Sequence, residues 1–331
     1  MTHGPSKAPP LAEVTHLKAR DTTGAMYTFL CLGITVGGVA LTQLDWLLPE
    51  LSGWGRGVAW CLGHLLLAFG LLQWFVLLHE CGHGVLFRSR SLNTWTGHLS
   101  GFFCMIPFRS WTAIHAMHHK WTGWQDLDPT TASLVPRKLG RGERRVMNFC
   151  WKYWVPAFSV MYRISNFWNP GQLAGVVRKR KARTVVAVNA LVLAVIYGAL
   201  LWQVGVVELF LALGPGAVLS LIMLDPIMLS QHTHIPLQHS GSKEVKAFIP
   251  RQQEVFTRSL RFPDWFSRVL LLHFDAHELH HIYPFVPGYC LREIDYTPGN
   301  ETHWWRWIRM ARKMPAEILL FQNRNDSGSE V

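Results

Sequence analysis

Long apolar blocks alternate with polar and basic stretches along the 331-residue chain. Four of these blocks are mostly apolar, and they cover residues 25–48, 57–78, 184–204 and 207–229. Each block exceeds the roughly 18–20 residues that an α-helix needs to cross the hydrocarbon core of a bilayer. The pattern therefore predicts four membrane-spanning helices.

A fifth apolar stretch, at about residues 92–108, is interrupted by His98 and Pro107. This stretch is shorter than the other four and is poorly suited to a full crossing. Irregular or broken segments at membrane depth are tolerated where protein or water covers their backbone. The stretch therefore predicts a short re-entrant or interfacial helix.

Both ends of the chain are polar. Residues 1–24 contain two adjacent prolines, which predicts a flexible N-terminal segment. Residues 321–331 predict a short polar tail. The intervening residues, 25–320, are expected to form a single membrane domain that includes all four predicted spans.

The composition favours a membrane protein over a large soluble protein with buried helices. Hydrophobic residues make up 49% of the chain and charged residues 16%, whereas soluble domains typically have about 25% charged residues. Four apolar blocks of this length also exceed the helices of ordinary globular proteins. The six cysteines form no CxxC pair, so neither a disulfide framework nor a thiolate metal site is predicted.

The basic residues predict the orientation in the membrane. Of the 32 Lys and Arg residues, all but Arg56 lie before residue 25, between residues 78 and 184, or after residue 229. By the positive-inside tendency, these three regions and both termini face the cytoplasm. The net charge of +11 then lies mostly on the cytoplasmic side, where anionic lipid headgroups or an acidic soluble protein are the expected partners. We expect no nucleic-acid partner.

Three histidine-rich clusters lie in the segments assigned to the cytoplasm. They are HECGH at residues 79–83, HAMHH at 115–119 and HELHH at 277–281. On a helix, the i, i+3, i+4 spacing brings imidazoles to one side, while two adjacent histidines diverge by about 100°. Such divergence suits two metal ions a few ångströms apart, with neighbouring rings bound to different ions. The predicted ligands in the clusters are His79, His83, His115, His118, His119, His277, His280 and His281.

The number of histidines limits which kinds of metal site the clusters could form. The pattern HxxHH occurs twice, which is more often than 17 His residues in 331 would produce by chance. Imidazole suits zinc, copper, iron and nickel, but a structural zinc site needs only four ligands. Eight histidines therefore favour a site with two metals, and a metal sensor or receptor without oxygen chemistry is the alternative.

The three clusters resemble the histidine boxes of membrane fatty acid desaturases and their hydroxylase relatives in order, spacing and position relative to the spans. The resemblance covers roughly residues 77–291. It implies an all-α integral membrane fold, with four transmembrane helices beneath a cytoplasmic helical cap that holds a histidine-ligated di-iron site. The segment QHTHIP, residues 231–236, is similar to the one that supplies a further ligand in this family. We expect His232 to be the ninth ligand, with His234 as the alternative.

Carboxylates near the clusters are candidates to orient the ligand rings through their second ring nitrogens. Asp128 lies in DLDP, a segment that also resembles family usage, and Glu80 and Glu278 lie within the boxes. Asp225 lies in the fourth predicted span, where an ionisable group is a functional candidate. An interface carboxylate solvated near the cytoplasm is the alternative for Asp225. No catalytic side chain beyond the metal ligands is predicted.

The resemblance implies oxygen-dependent desaturation of a lipid acyl chain, with two iron ions as cofactor and dioxygen as co-substrate. The short first box and the QHTH segment look most like those of the acyl-lipid, methyl-end desaturases. Hydroxylation, carotenoid oxidation and 1-alkene-forming decarboxylation of a fatty acid are alternatives that the same site would serve.

The chain has no recognisable flavin or haem module, so its electrons are expected from an external carrier. A ferredoxin, a rubredoxin or a b-type cytochrome, each with its reductase, would fill this role. The expected location is a bacterial plasma membrane, with the endoplasmic reticulum as the alternative.

Overall fold

The computed structural model describes residues 8–44, 48–50 and 52–329. Within these residues, four helices are long and apolar enough to cross a membrane. They correspond to the four predicted spans, although the end of the first predicted span, at residues 45–47, lies outside the described residues. The four long helices are α2 (Asp21–Thr42), α3 (Gly53–His83), α9 (Arg180–Val204) and α10 (Val206–His232).

Helix α3 forms the centre of the bundle, where it packs against α2, α10 and the helix that follows it. In its most apolar 18-residue stretch, 67% of the residues are buried, compared with 11% in each of α9 and α10. A Cβ atom on Gly63 would lie 2.8 Å from the carbonyl oxygen of Gly38. Glycine at this position therefore allows α2 and α3 to pack closely.

The end of α3 extends five residues beyond the predicted span. Gly84 follows the helix with φ 71°, in the left-handed region, and its N–H donates to the carbonyl of Cys81. Glycine adopts this conformation at little cost and commonly ends helices in this way. Because the helix continues to His83, the first histidine box lies on the same helix as the second predicted span.

Shorter helices and one small sheet pack around the C-terminal ends of α3 and α10. The shorter helices before α9 are α1 (Leu11–Val14), α4 (Arg90–Cys104), α5 (Phe108–Trp121), α6 (Arg141–Lys152), α7 (Ala157–Phe167) and α8 (Pro170–Val176). Those after α10 are α11 (Asp264–Val269), α12 (His277–Ile282), α13 (Trp304–Ala311), α14 (Ala316–Phe321) and α15 (Arg324–Ser327). Three 3₁₀ helices are Ala132–Leu134, Pro250–Phe256 and Gly288–Glu293.

The fold is mostly helical rather than all-α. Strands β1 (Ser259–Arg261) and β2 (Glu301–His303) form a two-stranded parallel sheet, in which Leu260 pairs with Thr302. The hydroxyl of Ser259 also accepts a hydrogen bond from the N–H of Glu278 at 3.1 Å. The sheet therefore braces the start of α12, which carries the third histidine box.

The predicted short helix at 92–108 corresponds to two structural segments. Helix α4 ends at Cys104, and Met105 follows with φ 54° in the left-handed region. Pro107 then precedes the first residue of α5, where its missing N–H removes no helical hydrogen bond. The break lets the chain turn before the second histidine box.

The described part of the N-terminal segment packs against the rest of the protein, whereas the sequence predicted a flexible segment. Residues 1–7 lie outside the described residues, but Val14 and Leu17 are buried in a cluster with Leu279 and Ile282 of the third-box region. The side chain of Arg251 also donates to the carbonyl of Ala8. These contacts depend on a partner more than 200 residues away, so the local polar composition could not reveal them.

Candidate metal centre

Four helices deliver nine histidines to one region of the molecule. The last turn of α3 and the C-terminal half of α5 carry the first two boxes, the end of α10 carries His232, and α12 carries the third box. The nine side chains form two groups, and in each group one ring nitrogen of every member lies within 4.8 Å of the others. The five-histidine group is His79, His83, His115, His119 and His280. The four-histidine group is His118, His232, His277 and His281.

Adjacent histidines belong to different groups. His118 is in the four-histidine group and His119 in the five-histidine group. In the third box, His280 is in the five-histidine group and His281 in the four-histidine group. This is the arrangement expected from a divergence of about 100° between successive helical residues. One short helix can therefore provide rings to two neighbouring metal positions.

The Nε2 atoms approach one another closely across both groups. The distance is 2.8 Å from His83 to His115 in the five-histidine group and 2.8 Å from His232 to His277 in the four-histidine group. The Nε2 atoms of His79 and His280 are 3.1 Å apart. A neutral imidazole has one N–H donor and one lone-pair acceptor. When several Nε2 atoms face one another, they cannot all form hydrogen bonds with each other. A metal cation within each group would bind the lone pairs of all of them.

Burial keeps five of the rings outside the long helices neutral. The pKa values of His115, His119, His277, His280 and His281 lie well below the usual range, chiefly because burial disfavours the charged form and also because the histidines repel one another's charge. Metals bind the neutral imidazole. These rings are therefore in the protonation state that a metal requires.

Protein acceptors fix several rings through Nδ1. His118 Nδ1 donates to Asp128 Oδ2 at 2.7 Å, and His79 Nδ1 donates to Glu80 Oε1 at 3.0 Å. The second carboxylate oxygen of Glu80 accepts the N–H of Gly288 at 2.6 Å. A proton held on Nδ1 leaves the Nε2 lone pair directed into the group. Asp128 and Glu80 thus make the ring contacts expected of orienting carboxylates.

The other two carboxylates contact different partners. Asp225 Oδ1 accepts the N–H of Ser159 at 2.7 Å, and Glu278 Oε1 accepts the N–H of Asn300 at 2.8 Å. Burial raises the pKa of Glu278 to about 7. Neither carboxylate hydrogen-bonds to any of the nine imidazoles in the described part of the chain; Glu278 Oε1 also accepts from the Tyr296 hydroxyl at 3.4 Å.

His234 lies outside both groups. Its Nε2 atom lies 2.9 Å from Ser327 Oγ and 3.0 Å from the carbonyl of Ser329, at the C-terminal end of the described chain. His232, two residues earlier, has its Nε2 atom within the four-histidine group. The structure therefore brings His232, rather than His234, together with the eight box histidines.

Two further residues accept hydrogen bonds from histidine Nδ1 atoms and could not be predicted from the sequence. Gln253 Oε1 accepts from His281 Nδ1 at 2.9 Å, and the carbonyl of Phe256 accepts from His232 Nδ1 at 3.3 Å. Both residues lie in the 3₁₀ helix Pro250–Phe256. They are more than 20 residues from the rings that they hold and belong to no recognisable motif, so only the folded structure identifies them.

Two neighbouring cavities lie at or beside the groups. A small cavity of about 40 Å³ is lined by rings of both groups, including His79, His118 and His277. A second cavity of about 200 Å³, mostly apolar, lies between α6, α7, α10 and α14. Leu134, Tyr162 and other residues line both cavities, so an apolar chain in the larger cavity would point towards the rings.

Comparisons with known proteins identify the family of the chain. A family model described as "Fatty acid desaturase" matches residues 57–309. The chain is 33% identical over 118 residues to the sn-1 acyl-lipid omega-3 desaturase (ferredoxin) of Synechocystis sp., a match that covers 35% of this chain and 30% of that protein. It is 25% identical over 269 residues to the chloroplastic omega-3 fatty acid desaturase of Glycine max, covering 76% and 56%.

A third relative is the endoplasmic reticulum omega-3 fatty acid desaturase of Vigna radiata, with 23% identity over 249 residues, covering 68% of this chain and 61% of that protein. The chain thus spans less than two thirds of the length of these relatives. The matches confirm the resemblance inferred from the histidine clusters.

Proposed function

The chain belongs to the fatty acid desaturase family, and from this premise we propose that it is a di-iron enzyme that uses dioxygen to introduce a double bond into a lipid acyl chain. The observation that carries the proposal is the convergence of nine imidazoles into two groups beside an apolar cavity. Each group would hold one iron.

Iron would supply the activation of dioxygen and the removal of hydrogen from an unactivated methylene, chemistry that side chains alone do not provide. The protein's own residues hold and orient the metal ligands. Asp128 and Glu80 keep a proton on Nδ1 of His118 and His79, and Gln253 does the same for His281. With these protons fixed, the Nε2 lone pairs stay directed at the metal positions.

The cavities support an acyl substrate. The larger one is about 200 Å³, which is below the roughly 300–1,000 Å³ of typical ligand pockets. It therefore suits a segment of an acyl chain better than a whole lipid. Phe158 and Tyr162 form a wall shared with the smaller cavity beside the rings. They would hold the reacting carbons near the metal positions and exclude water.

The proposed membrane arrangement has four spans with both termini in the cytoplasm. The positive-inside distribution of Lys and Arg supports this orientation, and so does the position of the histidines at the C-terminal ends of α3 and α10. An acyl chain in the cytoplasmic leaflet could then reach the site without leaving the membrane. A bacterial plasma membrane is favoured, with the endoplasmic reticulum as the alternative.

Electrons would come from a separate carrier. A ferredoxin is favoured, because the name of the Synechocystis relative specifies one, and a rubredoxin or a b-type cytochrome are the other candidates. The net charge of +11 would favour an acidic carrier, so electron transfer is expected to slow as ionic strength rises.

Lipid profiling of a host that expresses the wild-type chain or His118→Ala tests the proposal. The wild type is expected to yield a fatty acid with a new double bond, and His118→Ala is expected to yield none. His234→Ala, which alters a histidine outside both groups, is the matched control and should retain the product. An identical new product from wild type and His118→Ala would overturn the ligand assignment. A hydroxylated fatty acid, an altered carotenoid or a 1-alkene would instead identify one of the alternative reactions.

A further inference from the structure

A groove outside the metal centre lies between α4, the start of α5 and the first two thirds of α9. Its volume is about 860 Å³, and apolar side chains, among them Phe102, Val188 and Val192, make up most of its walls. Val188 and Val192 are each about half exposed, at 52% and 51%. Only 11% of the most apolar 18-residue stretch of α9 is buried, so much of this helix is uncovered by the described residues.

Two cationic residues also line the groove. Arg109 and Lys181 both line it, from α5 and from the first turn of α9. The Arg109 guanidinium lies 5.5 Å from the ring of Phe108. Neither cation forms an ion pair with any carboxylate in the described ranges. Cations at the level of the headgroups attract anionic lipids.

Polar contacts fix the position of Arg109 relative to α9. Its backbone N–H donates to Asn189 Oδ1 at 2.8 Å, and the Asn189 amide lies 3.4 Å from His98 Nδ1 on α4. Eight residues further along α9, the Tyr197 hydroxyl donates to the carbonyl of Phe102. These bridges link α9 to α4 and α5 in the middle of the groove and at the end away from Lys181.

The length of the groove matches one bilayer leaflet. Lys181 and Ile196, which line its two ends, are 15 residues apart on α9, or about 22 Å along the helix axis. This is about half of the roughly 40–45 Å thickness of a bilayer with its headgroup regions. The cationic end lies towards the Arg- and Lys-rich start of α9, which the proposed orientation places at the cytoplasmic surface.

We propose that this groove binds one anionic phospholipid from the cytoplasmic leaflet. The phosphate lies between Arg109 and Lys181, and the acyl chains lie against Phe102, Val188 and Val192. The lipid fills the gap between α4 and α9 and thereby stabilises a helix that has little protein around it. The proposal rests on the membrane orientation given above, but it requires neither the irons nor any catalytic step.

Native mass spectrometry of the detergent-purified chain, titrated with phosphatidylglycerol or with phosphatidylcholine of the same acyl chains, tests the proposal. We expect one preferred phosphatidylglycerol per chain and about tenfold weaker binding to the double variant Arg109→Gln/Lys181→Gln, because each cation near a lipid surface contributes modestly to anion binding. The matched control Arg141→Gln/Arg145→Gln removes the same charge from α6 and should bind like the wild type.

A second variant separates lipid loss from misfolding. Val188→Trp places bulk in the groove at an exposed position and keeps both cations, so it should also weaken phosphatidylglycerol binding. Equal affinity of the wild type for the two lipids would overturn the proposal, and so would unchanged binding in both variants. Binding of glycerol phosphate as tightly as the lipid would show a free-phosphate site instead. A lipid-free dimer that the variants abolish would show that a second copy of the chain occupies the groove.

Iron content and double-bond formation are measured on the same samples. Loss of lipid preference with both irons retained supports a lipid site that is independent of the metal centre. A wild-type chain that lacks iron or activity but still prefers phosphatidylglycerol would contradict the proposed function and leave the lipid site supported.

Discussion

In the four-histidine group, three of the four rings donate Nδ1 protons to protein acceptors, whereas in the five-histidine group only His79 does so within the described residues. The acceptors in the four-histidine group are Asp128, Gln253 and the Phe256 carbonyl. In the five-histidine group, Glu80 is the acceptor for His79. The group with fewer ligands thus has more of its rings fixed by the surrounding protein.

Under the proposed function, this difference would give the two metal positions different roles. A metal held by four imidazoles would have more open coordination positions than a metal held by five, so the four-histidine group would leave more room for oxygen or substrate. A metal with few ligands is also more sensitive to the orientation of each ring. We therefore expect changes around the four-histidine group to be more damaging than matched changes around the five-histidine group.

Removal of one ligand from each group should have the largest effect. His118→Ala leaves three histidines in its group, whereas His83→Ala leaves four in the other. We expect His118→Ala to lower desaturation by more than about 100-fold and to lose close to one iron per chain, since even outer-shell changes at metal sites typically cost 10–100-fold. His83→Ala should retain more of its iron. Iron analysis and fatty acid profiling measure both outcomes, and equal losses would remove the proposed difference between the groups.

The orienting carboxylates should have the next largest effect. Asp128→Asn keeps the side-chain shape but weakens the acceptor for His118 Nδ1, so activity and iron affinity should fall by about 10–100-fold. Glu80→Gln makes the matched change at His79, where four other rings remain, and should cost less. Iron affinity by competition with a chelator distinguishes the two variants. A larger loss in Glu80→Gln would reverse the comparison.

Gln253 provides a smaller test of the same idea. Gln253→Leu removes the acceptor for His281 Nδ1 without removing a ligand, and a neutral acceptor contributes less than a carboxylate. We expect activity to fall by about three- to tenfold. Gln252→Leu removes an amide from the same 3₁₀ helix, where its side chain contacts the Ile249 backbone instead of a histidine, and should retain activity. Equal activities of the two variants would argue against an orienting role.

The smallest effect is expected at His234. Its ring contacts Ser327 and Ser329 rather than either group. His234→Ala should therefore keep both irons and change activity by less than about twofold, although losing two hydrogen bonds should lower stability by about 1–2 kcal/mol. Thermal unfolding and iron analysis check this together. If His234→Ala lost one iron and His232→Ala kept both, His234 rather than His232 would be the ninth ligand.

The sequence predicted the parts of the molecule that depend on local patterns. Apolar block length identified the four long helices, and the spacing within HAMHH and HELHH anticipated that adjacent rings would divide between two groups. The sequence favoured His232 over His234 but kept His234 as the alternative, because two residues so close in sequence differ mainly in the direction that the end of α10 gives their side chains.

Long-range packing contacts could not be predicted from the sequence. Gln253 reaches His281 only because the 3₁₀ helix Pro250–Phe256 lies beside α12. Val14 and Leu17 are isolated apolar residues in a polar stretch, and only their contact with the third-box region shows that the segment is packed. Such contacts follow from tertiary structure rather than from a periodic pattern, which is why the N-terminal segment was expected to be flexible.

Anomalous X-ray diffraction at the iron absorption edge, on crystals of the iron-loaded chain, tests the central claim most directly. The account predicts two iron peaks per chain, one bound by the rings of the five-histidine group and the other by those of the four-histidine group. A single peak, or iron bound by side chains outside these nine histidines, would contradict it.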